Sequence, residues 1–274
     1  MKENVAIQGY EGSFHQEAAE YLFEKNVAVK PCNTFRELIN SVEHNKETTA
    51  AVMAIENSIA GSILPNYNLL HKSRLVVAGE IYLQIKQQLL VNPGVVLEDV
   101  KEVHSHTMAL QQCDTFLNKY NWKLVETDDT ALSAKLLKQH KSKHIAAVAS
   151  KLAAKMYGLE ILASNIHTQK NNYTRFLLLK KQQEPIVDAN KASLYFITDH
   201  QRGSLSRVLA EIAGLGINLS KLQSFPIPGS DFKYAFHADL EFDLMEQFAT
   251  AVKKIKLKTN ELRIYGCYKK GIWK

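Results

Sequence analysis

Short apolar runs and helically spaced apolar residues alternate along the first 180 or so residues of this chain, and then give way to a different order. Val5-Ala6-Ile7 is the first run that reads as a buried strand. It leads through Gly9-Tyr10-Glu11-Gly12 into Ser13, whose partner three residues on is Gln16, the spacing of a capping box. Phe14, Ala18, Tyr21 and Leu22 then recur as on one helix face. Thr34 and Glu37 repeat the box, with Phe35, Leu38 and Val42 as the apolar face. Residues 50–55, 75–78, 81–91 and 145–148 supply further strands. Ser105 is placed to cap a helix carrying Leu110, Cys113 and Leu117, Asp129 to cap one over 131–139, and Gly158 to end another. Such alternation predicts an α/β sheet covered by helices on both faces.

Residues 182–190 lack apolar periodicity and read as a linker. Beyond it the order is strand (192–198), helix (203–214), two strands (217–225 and 232–242), helix (244–255) and strand (262–267), with Pro226-Ile227-Pro228-Gly229 between the middle strands. That β-α-β-β-α-β order is the split-βαβ arrangement. Two domains are therefore expected, over 1–181 and 191–274.

A chain of 274 residues that is 46% hydrophobic and 23% charged can bury a sizeable core, which excludes disorder as its main state. Three scattered cysteines with no Cys-x-x-Cys pair encode neither a zinc ribbon nor a disulfide framework. The N-terminal residues lack the apolar core of a signal peptide, and no segment reads as a membrane span, so a cytoplasmic location is expected. The net charge of +6 is concentrated in residues 251–274, where lysines surround the apolar Val252 and Ile255 as on a solvated amphipathic helix. No aromatic platform accompanies them, so nucleic acid is not an expected partner.

Four segments carry candidate chemistry. Gly9-Tyr10-Glu11-Gly12 precedes a helix whose first N–H groups could hold a carboxylate, or it is an ordinary tight turn. Glu56-Asn57-Ser58, with Gly61 following, lies at the carboxyl end of a strand, where α/β sheets bind ligands, or it is a polar loop. Asn172-Tyr173-Thr174-Arg175-Phe176 offers a guanidinium fork for a carboxylate, or a surface ion pair. His104-Ser105-His106 has no third ligand at a telling spacing and reads as a strand-to-helix turn.

Taken together these segments resemble prephenate dehydratase. Thr174-Arg175-Phe176 is similar to its Thr-Arg-Phe signature, with Asn172 ahead of it. Ile55-Glu56-Asn57-Ser58 with Gly61 resembles its Ile-Glu-Asn-Ser-x-x-Gly segment, and Gly12-Ser13-Phe14 with Ala18-Ala19 its glycine loop. Ser105-His106, Ala109-Leu110 and Gln112-Cys113 match most of a Ser-His-Pro-Gln-Ala-Leu-x-Gln-Cys segment. Residues after Lys191 resemble the ACT regulatory domain. The resemblance implies a two-lobed catalytic region like type 2 periplasmic binding proteins, joined to a ferredoxin-like ACT domain. It implies prephenate as substrate, phenylpyruvate, carbon dioxide and water as products, and no cofactor or metal. Thr174, Arg175, Phe176, Asn57, Ser58 and Glu56 are its implied catalytic residues, and Gly12, Ser13, Ser105, Gln112 and Asn172 its implied substrate contacts.

Thr107 and Met108 stand where the family usually has Pro and Gln, and Ala54 where it usually has Pro. The implied L-phenylalanine effector site comprises Gly203, Ser204 and Leu205 with Gln223 and Ser224, but Gln223-Ser224-Phe225-Pro226 replaces the usual Glu-Ser-Arg-Pro. A homodimer or homotetramer is implied by the ACT resemblance. A non-catalytic small-anion sensor with the same two parts is the alternative. The Thr174-Arg175-Phe176 segment argues against it, because a pure binder has no need of that segment.

Overall fold

The computed structural model describes residues 2–182, 186–227, 229–231 and 233–274. In chain order the elements are β1 (Glu3–Gln8), α1 (Phe14–Leu22), β2 (Val27–Cys32), α2 (Phe35–His44), β3 (Ala50–Asn57), β4 (Gly61–Ser62), α3 (Leu64–Lys72) and β5 (Val76–Gln84). Then come β6 (Gln88–Val91), β7 (Glu102–His106), α4 (Thr107–Gln112), α5 (Asp114–Leu117), β8 (Lys123–Thr127), α6 (Thr130–His140), β9 (Ile145–Ala149), α7 (Lys151–Tyr157), β10 (Glu160–Ala163) and β11 (Tyr173–Lys180). The last group is β12 (Lys191–Ile197), α8 (Ser204–Gly214), β13 (Asn218–Pro226), β14 (Tyr234–Glu241), α9 (Met245–Lys256), β15 (Glu261–Tyr268) and β16 (Ile272–Trp273). No helix among the described residues is long and apolar enough to cross a membrane.

Local chemistry sets the helix starts. Ser13, Thr34, Asp129 and Ser150 each accept a hydrogen bond from a backbone N–H in the first turn of the helix they precede. In the first two, the side chains of Gln16 and Glu37 reach back one residue before the cap, to the N–H groups of Gly12 and Asn33. Ser105 is not a cap. Strand β7 runs on to His106, whose Nδ1 accepts from Met108 N, while the Ser105 hydroxyl is fully buried and donates to Val148 O at 2.6 Å. The apolar run expected over 81–91 as one strand is broken at 85–87, so its first part belongs to β5 and its second to β6.

Three sheets result. One has the order β16-β5-β11-β3-β1-β2 with β4 paired to β3, and one the order β10-β6-β9-β7-β8. Both mix parallel and antiparallel pairs. In the second, alternate residues of one strand serve two cores. Leu89 and Val91 pack with Val103, Leu110 and Val148, while Leu90 packs with Leu137, Ala147 and Ala153. Burial on both faces explains the continuous apolar runs in the sequence.

The chain forms two compact units, one of Met1–Leu69, Ile81–Leu177 and Trp273–Lys274, the other of Leu70–Glu80 and Leu178–Ile272. The second unit contains the four-stranded antiparallel sheet β13-β14-β12-β15, with α8 and α9 between its strands in the expected β-α-β-β-α-β order. The expected strand start at Phe232 and the Pro228 turn lie outside the described residues. One face of β12 and β14 gives Ala192, Leu194, Phe196, Ala238 and Leu240 to a core with Val208, Phe248 and Ile255. The other presents Lys191, Ser193, His237 and Asp239, all buried. They are buried because residues 70–80 belong to this unit. Lys191 Nζ lies 2.9 Å from Glu80 Oε1, and Arg263 donates to the carbonyls of His71 and Ser73.

The Lys191–Glu80 pair is almost wholly enclosed; Glu241 lies 3.6 Å from the same ammonium and Gly271 N donates to Glu80, so removing the lysine leaves a buried carboxylate without its cation. Lys191→Met is expected to lower stability by about 3–5 kcal/mol in urea unfolding followed by circular dichroism. A change under about 1 kcal/mol would mean the pair is solvated like a surface ion pair.

Candidate active site

The first unit contains a cavity of about 510 Å³. Its walls come from the carboxyl ends of β1 (Gln8), β3 (Ala54, Asn57) and β7 (His106), from the starts of α1 (Ser13, Phe14, His15) and α6 (Asp128, Asp129, Thr130), and from Thr174 and Phe176 of β11. Strand ends of an α/β sheet are where such pockets form, because the helices that follow present unpaired N–H groups there. A second hollow of about 270 Å³ shares Met108 and Gln112 with the first and is also lined by Asn172 and Thr168.

Asn57 organises the site. Its side-chain oxygen accepts the N–H groups of Ile59 and Ala60, both at 2.9 Å. That fixes the amide, and its nitrogen must face β11. There it donates to Asn172 Oδ1 (2.8 Å) and Thr174 Oγ1 (3.0 Å), with Tyr173 O at 3.2 Å. Two consequences follow from donor and acceptor bookkeeping. Because Asn172 must turn its oxygen to Asn57, its NH₂ faces away, and that buried nitrogen has no protein acceptor among the described residues. Because Thr174 Oγ1 is engaged as an acceptor, its hydroxyl proton is left to donate, and Thr174 lines the cavity.

Ser58 locks the same turn. Its hydroxyl donates to Asn171 O and accepts Tyr173 N, and its own N–H donates to Tyr173 O at 2.8 Å. Ser58 does not line the cavity, nor does Glu56, which pairs with Ser62 across the β3–β4 turn. Gly12 is likewise structural. It has φ +87°, and a Cβ there would meet the Ala153 backbone at 2.9 Å, while its carbonyl accepts the Ser150 hydroxyl at 2.6 Å. Ser105, expected to line the cleft, is sealed in the β7–β9 contact.

Arg175 is the main departure. Residues on a strand alternate between faces. Thr174 and Phe176 bracket Arg175 and line the cavity, while the Arg175 side chain is 4% exposed, absent from that lining, and sits over the Tyr82 ring at 5.9 Å. The structure therefore does not bring the guanidinium together with Thr174. No Lys or Arg is among the cavity's described lining residues.

Several lining residues were not expected from sequence. The His15 ring packs edge-on against Phe176 at 5.0 Å, and its Nε2 faces Ala54 N at 3.4 Å. Desolvation lowers its pKa to about 3, so it forms a neutral wall. Asp129 caps α6 through Leu132 N, and burial raises its pKa. Gly9, at φ +89°, admits it, since a Cβ there would lie 2.6 Å from Asp129 Oδ2. The rule that ligands sit at strand ends would have found Asp129, just after β8, had that strand been legible. Its residues are too exposed to carry an apolar signal.

The sequence pattern of the prephenate dehydratase family matches residues 5–184. Arogenate dehydratase 2 of Petunia hybrida is 38% identical over 283 residues, covering 96% of this chain and 71% of that protein. This chain belongs to the prephenate dehydratase family. That makes it a lyase by family, and prephenate dehydratases share its α/β mixed-sheet fold. The prephenate dehydratase of Arthrobacter aurescens, solved with L-Phe, is 26% identical with a TM-score of 0.86, covering 97% of this chain and 90% of that one. A solved structure described as GqqA, a novel type of quorum quenching acylase, is 29% identical with a TM-score of 0.88 over 98% of both chains.

In the second unit, Gly203 (φ +78°) starts α8 and lines a hollow of about 410 Å³ with Ser204, Leu205, His200 and Phe236. Gln223 and Ser224 are not in its lining. The Ser204 hydroxyl donates to Asp199, a carboxylate that also accepts Gln201 N and lies 3.5 Å from Arg207 Nη2.

The lowered pKa of His15 gives a stability signature. The unfolded imidazole titrates near 6.5, so below that pH the unfolded chain takes up a proton that the folded chain refuses until about pH 3. Stability should fall on acidification through this window by at most about 1.4 kcal/mol per pH unit. His15→Gln should flatten the slope between pH 6.5 and 5 in urea unfolding; matching slopes would mean that the folded imidazole is protonated.

Proposed function

We propose that this chain converts prephenate to phenylpyruvate, carbon dioxide and water. The observation that carries the reading is the Thr174 hydroxyl, held as a donor into the cavity by Asn57. In the reaction the bond between the ring and its carboxylate breaks, and its electron pair enters the ring. The ring becomes aromatic and expels hydroxide from the opposite carbon, and one proton from solvent makes that hydroxide water. Charge develops on the departing oxygen, so a donor fixed there acts mainly in the transition state. A threonine hydroxyl is too weak an acid for full protonation, and its contribution is electrostatic.

His15 and Phe176 offer an apolar, uncharged wall for the ring. The first N–H groups of α1, at Phe14 and His15, precede any intrahelical acceptor, and with Gln112 and the Asn172 NH₂ they are the donors proposed for substrate carboxylates. Glu56, Ser58 and Gly12 hold the turns that carry these groups, and Arg175 acts from the far side of β11. The acylase neighbour does not redirect the reading. Acyl transfer by a nucleophile–base pair needs contact between the two, and no hydrogen bond joins Ser13 to His15. The aminated substrate arogenate, named for the Petunia relative, would undergo the same bond changes to give phenylalanine.

We further propose residues 1–181 as the catalytic domain, 182–190 as linker and 191–274 as an ACT domain, with a homodimer or homotetramer as the assembly and the cytoplasm as the location. The β-α-β-β-α-β order supports the ACT reading. L-phenylalanine is the proposed effector, because the α8 start keeps backbone donors for its carboxylate and the Arthrobacter neighbour was solved with L-Phe.

Purified chain mixed with prephenate should produce phenylpyruvate, read by its absorbance; Thr174→Val should lose about 10²–10³-fold in kcat with KM little changed. Near-normal kcat in that variant would remove the hydroxyl from the chemistry. Arogenate in parallel, read as phenylalanine, ranks the two substrates. Calorimetric titration with L-phenylalanine should show binding that Gly203→Val weakens, and heat-silent titration would discard the effector.

A further inference from the structure

The face of β11 turned away from the cavity is held by residues distant in sequence. Trp273 of β16 stacks on Tyr82 of β5, with ring centres 4.5 Å apart and planes 10° from parallel. Its edge meets the Tyr173 ring at 4.8 Å and 77°. Arg175 lies over the same Tyr82 ring. The backbone fixes the register: Lys274 N donates to Tyr82 O at 2.9 Å, and Gln84 N to Lys274 O at 2.7 Å. Tyr173 and Arg175 are the neighbours of Thr174, and their side chains share the opposite face of the strand. On the cavity side Thr174 is held by one hydrogen bond, from Asn57. The strand itself lies between β5 and β3 in the sheet, and the stack packs against the side chains of its other face.

We propose that Trp273 is a positioning residue for Thr174, acting through Tyr173 and the Tyr82–Arg175 stack. Trp273 is 59% exposed and sits on a two-residue edge strand, so its burial contributes little to global stability. Its contribution is geometric. A group that must lie within a fraction of an ångström of a departing oxygen loses rate steeply on displacement. Offset and edge-on aromatic pairs give such restraint. The arrangement also gives the buried Arg175 a role that needs no contact with substrate.

The kinetic part of this inference rests on the dehydratase reading, so one readout is independent of turnover. In the full chain, Trp273→Ala should speed amide hydrogen exchange at Thr174, Arg175 and Phe176 by about tenfold or more, while core amides of β1 and β9 keep their protection. Trp273→Phe should restore it. With prephenate, Trp273→Ala should lower kcat about tenfold with KM within about twofold, and Trp273→Phe should recover most of kcat. Unchanged exchange at 174–176 in Trp273→Ala would overturn the proposal whether or not the chain turns over prephenate. So would a loss of exchange protection spread over the whole first unit, or a kcat loss that Phe does not rescue. Wild-type chain inert towards prephenate and arogenate would reject the dehydratase reading instead, leaving the exchange result to decide the role of Trp273.

Discussion

Two backbone N–H groups, those of Ile59 and Ala60, decide which way the Asn57 amide points, and the rest of the site follows from that choice. An amide has one acceptor and one donor end, and swapping them here would place two N–H donors against an NH₂. With the oxygen spoken for, the nitrogen must donate to β11, and Asn172 and Thr174 must receive. That leaves the Thr174 hydroxyl proton free to donate beside the cavity, and the buried Asn172 NH₂ facing away from Asn57. A single tight turn after β3 thus converts three side chains that could each donate or accept into a site of fixed polarity. Preorganisation of this kind matters because the dipoles need not reorient as the reaction proceeds.

This explains why the turn is held so firmly. Ser58 makes three hydrogen bonds across to residues 171–173, and β4 pairs Gly61 with Asn57. Gly61, at φ +80°, lets the chain reverse where a side chain would be strained. None of these groups lines the cavity, yet displacing any of them would move Asn57. The glycine loop contributes in a similar way, since Gly9 and Gly12 leave room for Asp129 and Ala153 to approach the start of α1. Residues that a motif marks as catalytic can therefore be frame rather than contact.

Much of the architecture was legible because it rests on periodicity and caps. The strands at 5–7, 50–55 and 145–148, the caps Ser13, Thr34 and Asp129, and the β-α-β-β-α-β order after residue 190 all follow from local patterns that the structure keeps. Strands β2, β8 and β10 were not legible. They are short and partly or largely exposed, so their residues show neither a continuous buried run nor a clean alternation. The short β16 is too brief for any period to register. Among the site residues, Thr174, Phe176, Asn57, Ser13 and Gln112 meet in one cavity and Asn172 in the hollow beside it. Arg175 and Ser105 do not, and both for one reason. A motif gives neighbours in sequence, but a strand sends neighbours to opposite faces. Reading Thr174-Arg175-Phe176 as a strand, with its period of two, already separates Arg175 from the others.

The absence of Lys and Arg from the described lining of the cavity is odd for a dianionic substrate only if binding is the aim. In decarboxylation the ring carboxylate is charged in the ground state and loses that charge as carbon dioxide forms. A guanidinium clamped on it would stabilise the ground state more than the transition state and so raise the barrier. Neutral donors are weaker partners, and they lose less as the charge leaves. In the proposed reaction negative charge grows on the departing hydroxyl oxygen, and the donor proposed for it is Thr174, which lines the cavity. Neutral groups at the departing carboxylate, with a fixed donor at the departing hydroxide, would bias such a site towards the transition state. The buried Arg175 lies over the Tyr82 ring on the other face of the strand, so it makes no clamp on a carboxylate held in this cavity.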